Sequence, residues 1–148
     1  MNIRISKTDP RAVVPKYETP GSAAFDVTVI EDAVVQAGSQ ALLRTGLVFC
    51  IPEDHAMLIF ARSSTFRKFG VTMANGVGIL DSDYCGADDE LLISVLNPGK
   101  EDVEIKGGSR VAQAMVIHRP KLSFEEGTPS TENRGGFGST GGHGDGSV

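Results

Sequence analysis

Three stretches of this 148-residue chain carry side chains that can do chemistry together. Asp81-Ser82-Asp83-Tyr84-Cys85-Gly86 sets two carboxylates and a phenol within four residues. A positioned carboxylate can orient and deprotonate a water. Its two aspartates and its glycine also fall at positions one, three and six of a calcium loop. Cys85 and Leu92 then occupy positions five and twelve, where oxygen ligands are required. An EF-hand is excluded, and a polar hairpin end remains. Arg62-Ser63-Ser64 places a cation and two hydroxyls ahead of a short helical pattern. Free N–H groups at such a start favour an anion, although plain helix capping explains the serines equally well. No glycine-rich loop ends in Gly-Lys-Ser/Thr, so there is no Walker A motif. The third stretch, near the C-terminus, holds Arg134 and Phe137 among glycines. It reads either as a flexible tail or as an arm that lays a cation and a ring over a charged, planar ligand.

The elements that must position these groups are mostly strands. Ile3-Arg4-Ile5, Ala41 to Ile51, Met57 to Ala61, Leu91 to Leu96, Val103 to Ile105 and Val111 to Ile117 show alternation or β-branched runs. Thr19-Pro20-Gly21, Ala37-Gly38-Ser39, Asn97-Pro98-Gly99 and Gly107-Gly108-Ser109 are turn signals between them. Many short strands at such intervals imply an all-β sandwich, jelly roll or barrel. Ser63 to Gly70 breaks the pattern as one short helix, with a serine cap at its start and Gly70 closing its end. From about Glu126 the composition changes, and Gly135 to Val148 holds seven glycines in fourteen residues. That stretch buries too little apolar surface to offset its ordering entropy, so by itself it is expected to be mobile.

Composition narrows the function classes. A net charge of −5 argues against a general nucleic-acid binder, which shows basic excess. The longest apolar runs, Leu47 to Ile51 and Met57 to Ala61, fall far short of the roughly 20 residues that cross a bilayer. The start, Met1 to Lys7, carries no signal-peptide apolar region. A cytoplasmic or similarly reducing location is expected, nuclear or organellar placement staying open for a eukaryotic source. Cys50 and Cys85 are too few for a disulfide scaffold and form no CxxC, and His55, His118 and His143 are scattered, which gives no zinc site.

The order of segments is more specific than any one of them. Pro20-Gly21-Ser22-Ala23-Ala24-Phe25-Asp26-Val27 comes first, followed by Arg62-Ser63-Ser64. Gly76-Val77-Gly78-Ile79-Leu80-Asp81-Ser82-Asp83-Tyr84-Cys85-Gly86 is next, then Gly108-Ser109-Arg110-Val111-Ala112-Gln113. Arg134-Gly135-Gly136-Phe137-Gly138-Ser139-Thr140-Gly141 closes the series. This succession resembles the five ordered motifs of the trimeric dUTPase family, the deoxyuridine 5′-triphosphate nucleotidohydrolases. It spans nearly the whole chain, from about Ile3 to Gly141.

The resemblance implies an all-β, distorted jelly-roll or β-clip barrel with one short helix. Residues 1–125 would form the β domain and 126–148 a flexible glycine-rich C-terminal arm. It also implies a homotrimer with shared active sites, dUTP as substrate, and no nucleic-acid or membrane partner. The reaction is hydrolysis to dUMP and pyrophosphate, with Mg2+ held mainly by the triphosphate and by water. By position, Asp81 matches the general base and Gln113 a phosphate- or water-contacting glutamine. Asn75 and the Gly76–Tyr84 hairpin, with Gly78 and Leu80, match the uracil-reading wall. Tyr84 matches the tyrosine that leaves no space for a 2′-hydroxyl. Arg62, Ser63 and Ser64 match the phosphate-binding motif. Asp26 matches an acid that positions the metal's waters or a neighbouring motif, and Arg110 a structural arginine paired with a carboxylate between subunits. Phe137 matches the ring that stacks on uracil, with Arg134, Gly138 and Ser139 toward the β- and γ-phosphates.

The chain departs from the family pattern in places. Arg134 stands three residues before Phe137 rather than five, which removes roughly 7 Å of extended reach. Ala87-Asp88-Asp89-Glu90 is an added segment, expected to be a solvated acidic turn. Ala24 and Cys85 replace residues usual in the family and are expected to lie outside the chemistry. A dCTP deaminase relative would need a carboxylate on the strand before Asn97, where the chain has Ile93-Ser94-Val95-Leu96. A dUTPase-like regulatory or binding protein with weak catalysis is the other alternative; intact Asp81, Tyr84 and Gln113 argue against it.

Overall fold

The computed structural model describes residues 2–133. Arg134, Phe137, Gly138 and Ser139, named above for the fifth motif, lie outside the described residues. The chain runs through β1 (Arg4–Lys7), β2 (Phe25–Thr28), β3 (Ala33–Val35), β4 (Gln40–Arg44), β5 (Leu47–Cys50) and β6 (His55–Ala61). The helix α1 (Thr65–Phe69) follows, then β7 (Thr72–Met73), β8 (Gly78–Leu80), β9 (Leu92–Leu96), β10 (Val103–Ile105) and β11 (Arg110–His118). The all-β class with one short helix is what the period-two pattern predicts.

Two larger antiparallel sheets carry the fold. One has the order β2-β11-β6-β8 and the other β4-β9-β7, with two-stranded ribbons β1-β5 and β10-β3 beside them. Along β9, Ile93 and Val95 are fully buried while Leu92 is exposed, the alternation of a half-buried strand. Met57 and Ile59 of β6, Val111 and Ala114 of β11 and Val27 of β2 join Ile93 and Val95 in one apolar cluster. Each buried Val, Ile or Met contributes roughly 1.5–3 kcal/mol of burial, which fixes the register of β6 and β11.

Some elements differ from the sequence reading. Ala41 to Ile51 is not one strand: it breaks at Thr45-Gly46, where Gly46 takes φ +67°. A Cβ there would meet Ala12 Cβ at 2.9 Å and would be strained at that φ, so glycine is required. β2 and β3 escaped notice because they are short and β2 buries Phe25, Val27 and Thr28 without alternation. The helix ends as expected, with Gly70 left-handed and its N–H donating to Phe66 O at 2.8 Å. Its start does not use a serine cap. Thr65 Oγ1 accepts from Arg62 N at 2.8 Å and donates to Val111 O at 2.7 Å, whereas Ser64 makes no side-chain cap.

Two further corrections concern the segment after Asp81. Cys50 and Cys85 form a disulfide, with Cα atoms 5.2 Å apart across 35 residues of sequence. Cysteine counting missed it because folding, not spacing, brings the end of β5 beside the loop. The added Ala87–Glu90 segment is not simply a solvated turn either. Glu90 is only 12% exposed, and it accepts from Arg44 Nη2 at 2.9 Å, Gly46 N at 2.8 Å and Thr8 Oγ1 at 3.0 Å. Among the described residues, no helix is long and apolar enough to cross a membrane.

Candidate active site

The β7–β8 hairpin builds the first half of the site. Gly76 turns it with φ +70°, and Gly76 N donates to Met73 O at 3.3 Å. β8 then pairs with β6, Leu80 opposite Met57 and Gly78 opposite Ile59. Period-two geometry sends the Leu80 side chain inward and leaves Asp81, the next residue, exposed where β8 leaves the sheet. A turn in which Tyr84 N donates to Asp81 O at 3.3 Å returns Tyr84 toward the same place. Asn75, Gly78, Leu80, Asp81 and Tyr84 thereby line one cleft of about 250 Å3. All five were named from sequence.

Gly78 has a specific reason to lack a side chain. A Cβ there would approach Ile59 Cβ to 3.2 Å and Asn75 Nδ2 to 3.5 Å. A side chain there would crowd both neighbours. Asp81 makes no side-chain hydrogen bond or ion pair among the described residues, so its carboxylate is available to a water.

A second cluster forms where β2, β11 and the end of β6 meet. Asp26 lies opposite Gln113 in register, and Gln113 Nε2 donates to Ala61 O at 3.1 Å. The pairing of β11 with β2 slips between Arg110 and Ala112, and this bulge re-aims Arg110. Asp26 Oδ1 accepts from Arg62 Nε at 2.6 Å, and Asp26 Oδ2 meets Arg110 Nη1 at 3.0 Å. Arg62 Nη1 also donates to Arg110 O at 3.1 Å. Within the chain, Arg110 meets two carboxylates, Asp26 and Glu18. With Thr65 closing the helix start, neither Ser63 nor Ser64 spends its hydroxyl on a protein partner among the described residues. Thr65 and Glu18 were missed in sequence; Thr65 reaches back three residues to the Arg62 N–H, as the third helical residue does in a capping box.

The two clusters do not meet within one chain. Leu80 pairs with Met57, and Arg62 follows the far end of β6, five residues on, which is roughly 16 Å along the strand. Another hollow of about 360 Å3, lined in part by Phe25, Phe49, His55 and His118, contains no carboxylate and none of the residues named for the chemistry.

A family model described as dUTPase matches residues 11–141. The chain belongs to the dUTPase family. A deoxyuridine 5′-triphosphate nucleotidohydrolase from Nautilia profundicola is 37% identical over 95% of this chain and 99% of its own length. The dUTPase of Streptococcus mutans superposes with TM-score 0.74 at 26% identity, covering 84% of this chain and all of that one. The dUTPase of Staphylococcus bacteriophage 80alpha with dUPNHPP superposes at 0.79 over 95% of this chain and 98% of that one. Its 22% identity speaks for the fold alone. The nearly all-β architecture described above is thus a dUTPase jelly roll.

No group of three or more His, Cys, Asp or Glu side chains suited to a metal ion occurs among the described residues. Both oxygens of Asp26 are engaged by guanidinium groups.

Proposed function

We propose that this dUTPase-family enzyme hydrolyses dUTP to dUMP and pyrophosphate by attack of water on the α-phosphorus. The observation that carries the reading is the cleft that joins an unpartnered Asp81 to Asn75, Gly78, Leu80 and Tyr84. Asp81 takes a proton from the water as its oxygen bonds to phosphorus. The bond from the α-phosphorus to the bridging oxygen breaks, and pyrophosphate leaves. The backbone around Gly78 and Leu80, with Asn75, reads uracil. A base with the wrong donor pattern leaves buried polar groups unpaired and is rejected. Tyr84 closes the sugar's 2′ side.

Arg62, Ser63 and Ser64 hold the phosphates, and Gln113 contacts a phosphate or the water. Asp26, with two arginines on one carboxylate, ties the first, second and fourth motifs together. Mg2+, when bound by the triphosphate, neutralises its charge. The arm from 126 to 148 adds the Phe137 ring over uracil and Arg134, Gly138 and Ser139 at the outer phosphates, which excludes water and stabilises developing charge.

A homotrimer with shared sites accounts for the separation of roughly 16 Å between Asp81's strand end and Arg62. It also gives cover to large apolar side chains left open in the single chain, among them Val34, Leu42, Phe66 and Ile79. We place the reaction in the cytoplasm, against the free nucleotide pool, where it keeps dUTP low and supplies dUMP for thymidylate synthesis.

Pyrophosphate release from dUTP, dCTP and UTP with magnesium tests this reading. Wild type is expected to act on dUTP far faster than on UTP or dCTP, and Asp81→Asn to lose about 10²–10⁴-fold in kcat with its melting temperature unchanged. An inert wild type, or a mutant at full rate, refutes the assignment.

A further inference from the structure

We propose that Cys50 and Cys85 are positioning residues for Tyr84, and that their thiol–disulfide state sets how strictly the enzyme rejects a 2′-hydroxyl. The inference rests on the dUTP-hydrolysing reading and extends it to a control of specificity.

Between the end of β8 at Leu80 and the anchor at Glu90, the chain is held mainly to itself. Tyr84 N donates to Asp81 O, Cys85 N to Asp83 O at 3.0 Å, and Gly86 N to Asp89 Oδ2 at 2.6 Å. Asp89 N returns to Gly86 O at 3.2 Å. None of these bonds ties the segment to a sheet. Among the described residues, the hydrogen bonds that tie 81–89 to its surroundings are Ser82 Oγ to Glu53 O at a long 3.5 Å, Tyr84 Oη to Glu90 O at a long 3.4 Å, and Glu90 N to Asp88 O at 2.9 Å. The far end is firm, because Glu90 is gripped by Arg44, Gly46 and Thr8, and Leu91 N donates to Leu47 O at 2.8 Å.

The disulfide falls midway between those two fixed ends. It joins Cys85, the residue after Tyr84, to Cys50 at the end of β5. β5 is a rigid post: Leu47, Val48 and Phe49 are buried, and Cys50 pairs with Arg4 of β1. Tyr84 itself is 40% exposed, and its hydroxyl lies 3.4 Å from Glu90 O. Besides that long hydrogen bond to Glu90, the covalent link next door is what ties this part of the loop to the body of the fold. Rejection of a 2′-hydroxyl is a steric test at that ring, so it depends on the bond more than uracil reading does, which rests on the paired strand β8.

Both cysteines are partly exposed in the single chain. The reductant required is a dithiol. One of its thiolates attacks a cystine sulfur and forms a mixed disulfide, releasing one cysteine thiolate. Its second thiol displaces the other cysteine and closes the reductant's own disulfide. Two electrons and two protons pass to Cys50 and Cys85, and Asp81 and Tyr84 are chemically unchanged.

The test compares the full-length enzyme oxidised, reduced with dithiothreitol, and carrying Cys50→Ala with Cys85→Ala. Thiol titration verifies each state, and kcat/KM is measured for dUTP and UTP. Reduction and the double variant are each expected to raise the UTP-to-dUTP ratio about tenfold or more, since displacements near 1 Å have effects of that size. Reoxidation should restore the ratio in wild type only. A purely structural staple would lower the melting temperature and scale both substrates alike; that result, or unfolding on reduction, overturns the proposal. So do two free thiols in the air-oxidised enzyme. An oxidised enzyme inert toward dUTP would remove the underlying reading instead, which separates the two failures.

Discussion

Asp26 grips Arg62 through a 2.6 Å hydrogen bond to its Nε, across 36 residues of sequence. The same carboxylate meets Arg110, so one anion holds two cations that would otherwise repel. Asp26→Asn keeps the shape and removes the charge. We expect kcat/KM for dUTP to fall about 10–100-fold as Arg62 loses its fixed geometry. Chemical denaturation should show a stability loss of about 1–3 kcal/mol. Kinetics identical to wild type would mean that Arg62 is held by other contacts.

Gly78→Ala places a methyl 3.2 Å from Ile59 Cβ and 3.5 Å from Asn75 Nδ2, at the floor of the cleft. The expected outcome is a KM for dUTP raised by about tenfold, in line with one methylene's weight in a fitted pocket. Steady-state kinetics should show kcat less affected. A KM left at the wild-type value would move base recognition away from this strand.

Glu90 supplies a pH dependence. Burial pushes its carboxyl up, but bonds from Arg44, Gly46 and Thr8 outweigh that and hold it below the ordinary 4.5. The unfolded chain therefore takes up the proton first as pH falls. Glu90's contribution is complete above about pH 4.5 and is lost on descent through its lower folded value. Glu90→Gln should cost about 1–3 kcal/mol at pH 7. Melting curves from pH 7 to pH 3 should then show the gap between wild type and variant closing in acid. A gap constant with pH would deny Glu90 its charged role.

A chain ending before Arg134 tests the arm. Loss of Phe137 and its neighbours should reduce kcat by about 10²-fold or more, the scale of losing charge-stabilising donors. Light scattering should find the assembly unaltered. Unchanged turnover would leave residues 134–148 outside the reaction.

The cleft was legible in the sequence because its residues lie within one hairpin. Asn75 to Tyr84 are neighbours in the chain, so local turn chemistry suffices to gather them. The strands β6, β9 and β11 were equally legible, since each alternates or runs in β-branched residues long enough to count. What escaped depends on folding distant segments together. Thr65 takes over the helix start because the bulge at Val111 offers its carbonyl. Glu90 becomes an anchor only where the chain reverses at Gly46 and presents an amide to it. Cys50 and Cys85 looked isolated until β5 and the loop were placed side by side.

The length of β6 has a consequence for inheritance. In the proposed trimer with shared sites, a chain whose hairpin carboxylate leaves β8 beside one end of β6, and whose arginine follows the other end, lends either half to a neighbour. Two defective copies, Asp81→Asn and Arg62→Ala, would then restore some activity when co-assembled, although each is silent alone. Mutations in such a gene would sort into two complementing groups, divided by which end of a single strand they damage.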